Sequence, residues 1–122
     1  MEKSAPLKQG GGSMSFRING IEWNIVWVHS SSANLRRSDG TITVGVTDFG
    51  TKCVYLSRAL HGEFLKKVMA HELCHCFCFS YNIVMSVDEE ERLADWIATY
   101  GEDLIYLLDD IMRTMLKKAY AM

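Results

Sequence analysis

Apolar and polar residues alternate along the first third of the chain. Phe16-Arg17-Ile18, Asn19-Gly20 and then Ile21 to Val28 have the period of two that marks half-buried strands. The Asn-Gly pair between them accepts the positive φ that a two-residue hairpin turn needs. Ser30 to Gly40 is polar and reads as a connection with one short helical turn. Thr41 to Val46 alternates again, turns at Asp48-Phe49-Gly50 and returns through Lys52 to Leu56. The pattern then changes. From Glu63 to Phe79 the chain reads EFLKKVMAHELCHCFCF, good helix formers without proline or interior glycine. Its second half is apolar nearly all round, which predicts a buried helix. Ser86-Val87-Asp88-Glu89 has capping-box form, so a second helix starts near Val87. Gly101 interrupts the pattern, and a third helix, Glu102 to Ala119, is expected to turn Leu104, Ile105, Leu107, Leu108, Ile111, Met112, Met115 and Leu116 inward. The expectation is an α+β protein: a small antiparallel sheet on a helix pair, braced by a C-terminal helix.

A chain of 122 residues, 48% of them apolar, makes one domain with a modest core, here taken as residues 14–122. Met1 to Ser13 is polar, glycine-rich and patternless, and reads as a disordered expression remnant. No apolar run has bilayer length and no secretory segment is recognisable, so a cytoplasmic protein without membrane contact is expected. Three of the four cysteines, Cys74, Cys76 and Cys78, alternate along one helix and cannot pair with one another; with Cys53 they are expected to be reduced. A net charge of −2, with only the pairs Arg36-Arg37 and Lys66-Lys67, argues against direct nucleic-acid binding. Lys117-Lys118 suit the C-terminal end of a helix dipole.

The chemistry lies in His71-Glu72-Leu73-Cys74-His75. Residues four apart on a helix share a face with Cβ atoms about 5–6 Å apart, so both imidazoles can reach one tetrahedral ion. Glu72, rotated by about 100°, cannot easily be a ligand, but it can reach a water on that ion and take its proton. This is the H-E-x-x-H arrangement of a hydrolytic zinc site. Such sites commonly use three protein ligands and one open position. Glu91 is the expected third ligand, on a face shared with Ala94, Asp95 and Ala98; Glu90 is its rival. Asp95 is placed to accept a hydrogen bond from the non-ligating nitrogen of a ligand histidine. Cys78, one turn past His75, reads first as a small buried hydrophobe and second as a thiolate ligand. Trp23, Trp27 and Trp96 read as packing residues, and His29 as structural or exposed. Tyr55, Tyr81, Tyr106 and His61 are candidates for the group that stabilises an oxyanion.

HELCH, followed after a short connection by Glu91-Arg92-Leu93-Ala94-Asp95-Trp96-Ile97-Ala98, resembles the ImmA/IrrE-type metallopeptidases, compact zinc enzymes of phages and mobile elements. Val54 to Ser57, a strand feeding the motif helix, adds to the likeness, which spans most of residues 41–100. The resemblance implies a minimal zincin-like fold of the gluzincin kind. It makes His71, His75 and Glu91 the zinc ligands and Glu72 the general base, with Ala94-Asp95 a small-then-polar pair. It also implies an endopeptidase whose protein or peptide substrate is a helix-turn-helix repressor or another regulator of a mobile element, in the host cytoplasm if phage-encoded. Thr51, Lys52, Cys53, Val54, Tyr55 and Leu56 are the expected edge strand for binding substrate backbone. The rival readings are a catalytically silent zinc-containing antirepressor and a hydrolase of a non-peptide amide or ester.

Overall fold

The structure, a computed structural model, describes residues 8–10 and 13–121. Strands β1 (Lys8–Gly10), β2 (Ser13–Ile18), β3 (Ile21–Val28), β4 (Gly45–Asp48) and β5 (Cys53–Ser57) are followed by helices α1 (Gly62–Ser80), α2 (Val87–Trp96) and α3 (Glu102–Ala121). The class is α+β. Of the segment expected to lack structure, residues 1–7 and 11–12 lie outside the described residues. Lys8–Gly10, by contrast, runs antiparallel to β2.

The hairpin forms where the Asn-Gly pair stands. Ile18 faces Ile21 across it, and Asn19 and Gly20 take φ of 49° and 77°. The sheet is mixed rather than antiparallel, in the order β1-β2-β3-β5-β4. The chain leaves β3, passes a short 3₁₀ turn at Ala33–Leu35, lays β4 on the outside and returns as β5 between β3 and β4. That route makes β5 parallel to β3, with Asn24 opposite Cys53 and Val28 opposite Ser57. Burial explains the order: Val54, Leu56 and Ser57 of β5 are sealed, whereas β4 keeps only Gly45 fully buried. The more apolar strand takes the interior place.

One face of the sheet carries the core. Phe16, Ile18, Trp23, Ile25, Val54, Leu56, Leu60 and Cys76 are buried together, with Leu65, Val68, Met69 and Leu73 of α1 packed against them. Trp23 is fully buried and satisfies its one polar atom by donating from Nε1 to Ser80 Oγ at 2.9 Å. A second, smaller cluster of Cys74, Cys78 and Ala94, with Met85 and Ile97, forms the seam between α1 and α2. Ala94 has no exposed surface, the close approach its small side chain permits.

The third helix departs from expectation. Gly101 does not break the chain; Ile97–Gly101 is a wider π-type turn that joins α2 to α3 in one helical path. Leu104, Ile105, Leu107, Leu108, Ile111, Met112, Met115 and Leu116 are all exposed rather than turned inward. The helical connection carries α3 onward from α2, where a tight turn at Gly101 would have folded it back. Trp96 is likewise 47% exposed, beside Tyr100, and is not a core residue. Among the described residues, no helix is long and apolar enough to cross a membrane.

Candidate metal centre

The α1 ladder sets His71 and His75 on one face of the helix, one turn apart. His75 is buried and His71 half-buried. Glu72 points elsewhere. Its side chain, 7% exposed, lies toward β4, where Oε1 accepts a hydrogen bond from Thr47 Oγ1 at 2.9 Å. Gly45 is what lets β4 come this close: a Cβ there would stand 2.8 Å from Val68 Cγ1 and 3.4 Å from Glu72 Cγ.

The second helix supplies acids in register. Ser86 Oγ accepts from Glu89 N, and the Glu89 carboxylate accepts from Ser86 N, both at 3.2 Å. This cap fixes the start of α2 and so the rotation at which Glu90, Glu91 and Asp95 meet α1. Glu91 reaches both histidines: Oε2 lies 3.1 Å from His71 Nε2, and Oε1 lies 3.0 Å from His75 Nε2. The two Nε2 atoms are 3.3 Å apart. Behind them, His71 Nδ1 stands 2.9 Å from Asp95 Oδ1, and His75 Nδ1 stands 2.6 Å from Glu90 Oε2.

A carboxylate only accepts, and one stands at each nitrogen of both rings: Asp95 or Glu90 at Nδ1 and Glu91 at Nε2. A ring that donates from Nδ1 to the acid behind it turns its Nε2 lone pair toward Glu91, where a cation would be shared by all three groups. Ligand atoms held about 2.0–2.1 Å from one tetrahedral centre are spaced roughly 3.3 Å apart, close to the separations found. His71, His75 and Glu91 are placed to hold a metal ion, their ligand atoms all within 4.8 Å of one another.

Glu90, the rival for third ligand, stands behind His75 instead. Asp95 stands behind His71. Cys78 is not in the ligand group; its thiol lies near Cys74 and Glu90, and burial, with the Glu90 charge adding, pushes it above the ordinary thiol value. Burial does the same more strongly to Cys74 and Cys76, up to about 12. All four cysteines are unpaired.

The expected edge strand is not at the edge. Cys53–Ser57 lies between β3 and β4, so Thr51 to Leu56 cannot take up a further strand; β4 borders the site. A cleft of about 220 Å³ opens beside the centre, lined by His71, Glu72 and Asp95, by Val44 and Gly45, and by Arg37 and Lys67. Tyr55, Tyr81, Tyr106 and His61 do not line it. His29 is exposed and its Nδ1 pairs with Ser31. Thr47, Arg37 and Lys67 carried no signal in the sequence, since only folding brings them beside the motif. No family model, no curated protein and no solved structure matches this chain.

Proposed function

We propose that this protein is a zinc-dependent endopeptidase built on a minimal zincin-like fold. The observation that carries the reading is the convergence of two imidazole Nε2 atoms and one carboxylate, with a buried second carboxylate opening on the same cleft. A purely structural zinc site normally closes with four protein ligands and needs no base; three ligands beside Glu72 suit catalysis. Two imidazoles and a carboxylate are also a donor set that zinc favours. When bound, the ion supplies a Lewis acid that acidifies water and polarises a carbonyl oxygen.

The chain's own residues do the rest. Asp95 and Glu90 hold the two imidazoles in the tautomer that leaves Nε2 free. Thr47 holds the Glu72 carboxylate by one oxygen, leaving the other to accept a proton from the attacking water and deliver it to the departing amide nitrogen. The outer side of β4 offers backbone groups to an extended substrate, by strand addition, alongside Glu72. Arg37 and Lys67 on the cleft favour an acidic side chain near the scissile bond. The likeness of HELCH and the Glu91–Ala98 segment to ImmA/IrrE-type peptidases makes a helix-turn-helix repressor, cut in the cytoplasm, the proposed substrate.

The test is co-expression with a helix-turn-helix repressor encoded beside the gene, followed by intact-mass measurement. A discrete cut that disappears in Glu72→Gln supports the peptidase. Loss of repression by both wild type and Glu72→Gln, without a fragment, would identify a binding antirepressor instead.

A further inference from the structure

The third helix makes sense only with something laid along it. Nine large apolar side chains between Leu104 and Leu116 are 42–60% exposed. Among the described residues, α3 packs chiefly on the π-type turn before it, with Lys66 reaching Glu102 at its base. Soluble chains rarely leave so long an apolar stripe bare, and a lone helix is marginal in water. Leu104, Leu108, Ile111 and Met115 recur at the four-three-four spacing by which one helix seats against another.

The charges say what the other helix is. Glu102, Asp103, Asp109 and Asp110 occupy the N-terminal half of α3; Arg113, Lys117 and Lys118 occupy the C-terminal half. The helix is acidic at one end and basic at the other. A copy laid parallel sets like charge against like. Turned end for end, the same helix matches apolar stripe to apolar stripe, brings Asp103 level with Lys117 and Lys118 of the second copy, and opposes the two helix dipoles. We propose that α3 is a self-association helix, pairing antiparallel with α3 of a second copy about a two-fold axis near Ile111. Such an isologous contact closes on itself and stops at a dimer. It does not depend on the metal reading.

The experiment is sedimentation of the full chain over a dilution series, with zinc present. A dimer for wild type and for Glu72→Gln, and a folded monomer for Leu108→Glu, is the expected result. Lys117→Glu with Lys118→Glu should raise the dimer dissociation constant about tenfold or more. Adding Asp103→Lys to that variant should restore it, because the swapped ends match again. For orientation, Ile111→Cys should cross-link to a dimer on oxidation while Leu104→Cys alone does not. Wild type that stays monomeric at every concentration overturns the proposal, as does a dimer indifferent to Leu108→Glu. Cross-linking of Leu104→Cys in place of Ile111→Cys overturns the antiparallel pairing.

Discussion

At the scale of single residues, the proposed function gives each acid near the centre its own task, and the tasks separate in experiment. Glu72→Gln should keep zinc at unit stoichiometry while turnover falls by about 10²–10⁴, the usual worth of a positioned general base. Asp95→Asn and Glu90→Gln should do the reverse, weakening zinc about 10–100-fold in competition with a chromophoric chelator, because each frees an imidazole to turn. Thr47→Val should leave metal affinity alone and lower turnover, since its hydroxyl bonds Glu72, at Oε1 and at the backbone carbonyl, and neither atom belongs to the ligand group. The sequence made His71, Glu72 and His75 legible, because a spacing of four on one helix fixes their relation without help from anything distant. It favours Glu91 over Glu90 as the third ligand, and the structure sets Glu91 with the two histidines. Neighbours on a helix differ by about 100° of rotation, and only the packing of α2 on α1 chooses which faces the histidines.

At the scale of elements, local chemistry sets the ends and packing sets the neighbours. Ser86→Ala should cost about 1 kcal/mol in chemical denaturation, the worth of a side-chain cap. It should also weaken zinc, because the cap holds the rotation at which Glu91 arrives. Gly45→Val should destabilise the fold by about 1–3 kcal/mol, with β4 displaced from α1, because its Cβ would stand 2.8 Å from Val68 Cγ1. A drop in turnover larger than the loss of folded protein would show the effect on Thr47 and Glu72. The hairpin, the motif helix and the capped helix could all be read from periodicity and turn residues. The strand order could not. Alternation tells a strand from a helix but says nothing of which strands pair, so an edge β5 and a wholly antiparallel sheet fit the pattern, whereas β5 lies inside and runs parallel to β3.

At the scale of the whole molecule, the centre links metal, fold and pH. Zinc bound by the folded chain should raise the melting temperature in proportion to the logarithm of its free concentration, and a chelator should reverse the gain. Cys74 and Cys76 give an alkaline limit. Burial holds both thiols up to about 12, against an ordinary 9.0, so the unfolded chain releases those protons first. Stability should therefore fall as pH rises from about 9 toward 12, and Cys76→Ala should flatten that fall in denaturant titrations at stepped pH. The third helix shows the same dependence on what lies beyond local pattern: its amphipathic stripe is plain in the sequence, its lack of a partner among the described residues is not. What the sequence determined by itself was whatever short-range sterics and spacing decide, namely the Asn-Gly turn, the Ser86 cap, the helical runs and the paired histidines. What only the tertiary structure decided was which acid faces the metal site, which strand borders the cleft and which side of α3 is left bare. Each of these turns on the contact of segments far apart in the chain, and no local period encodes such a contact.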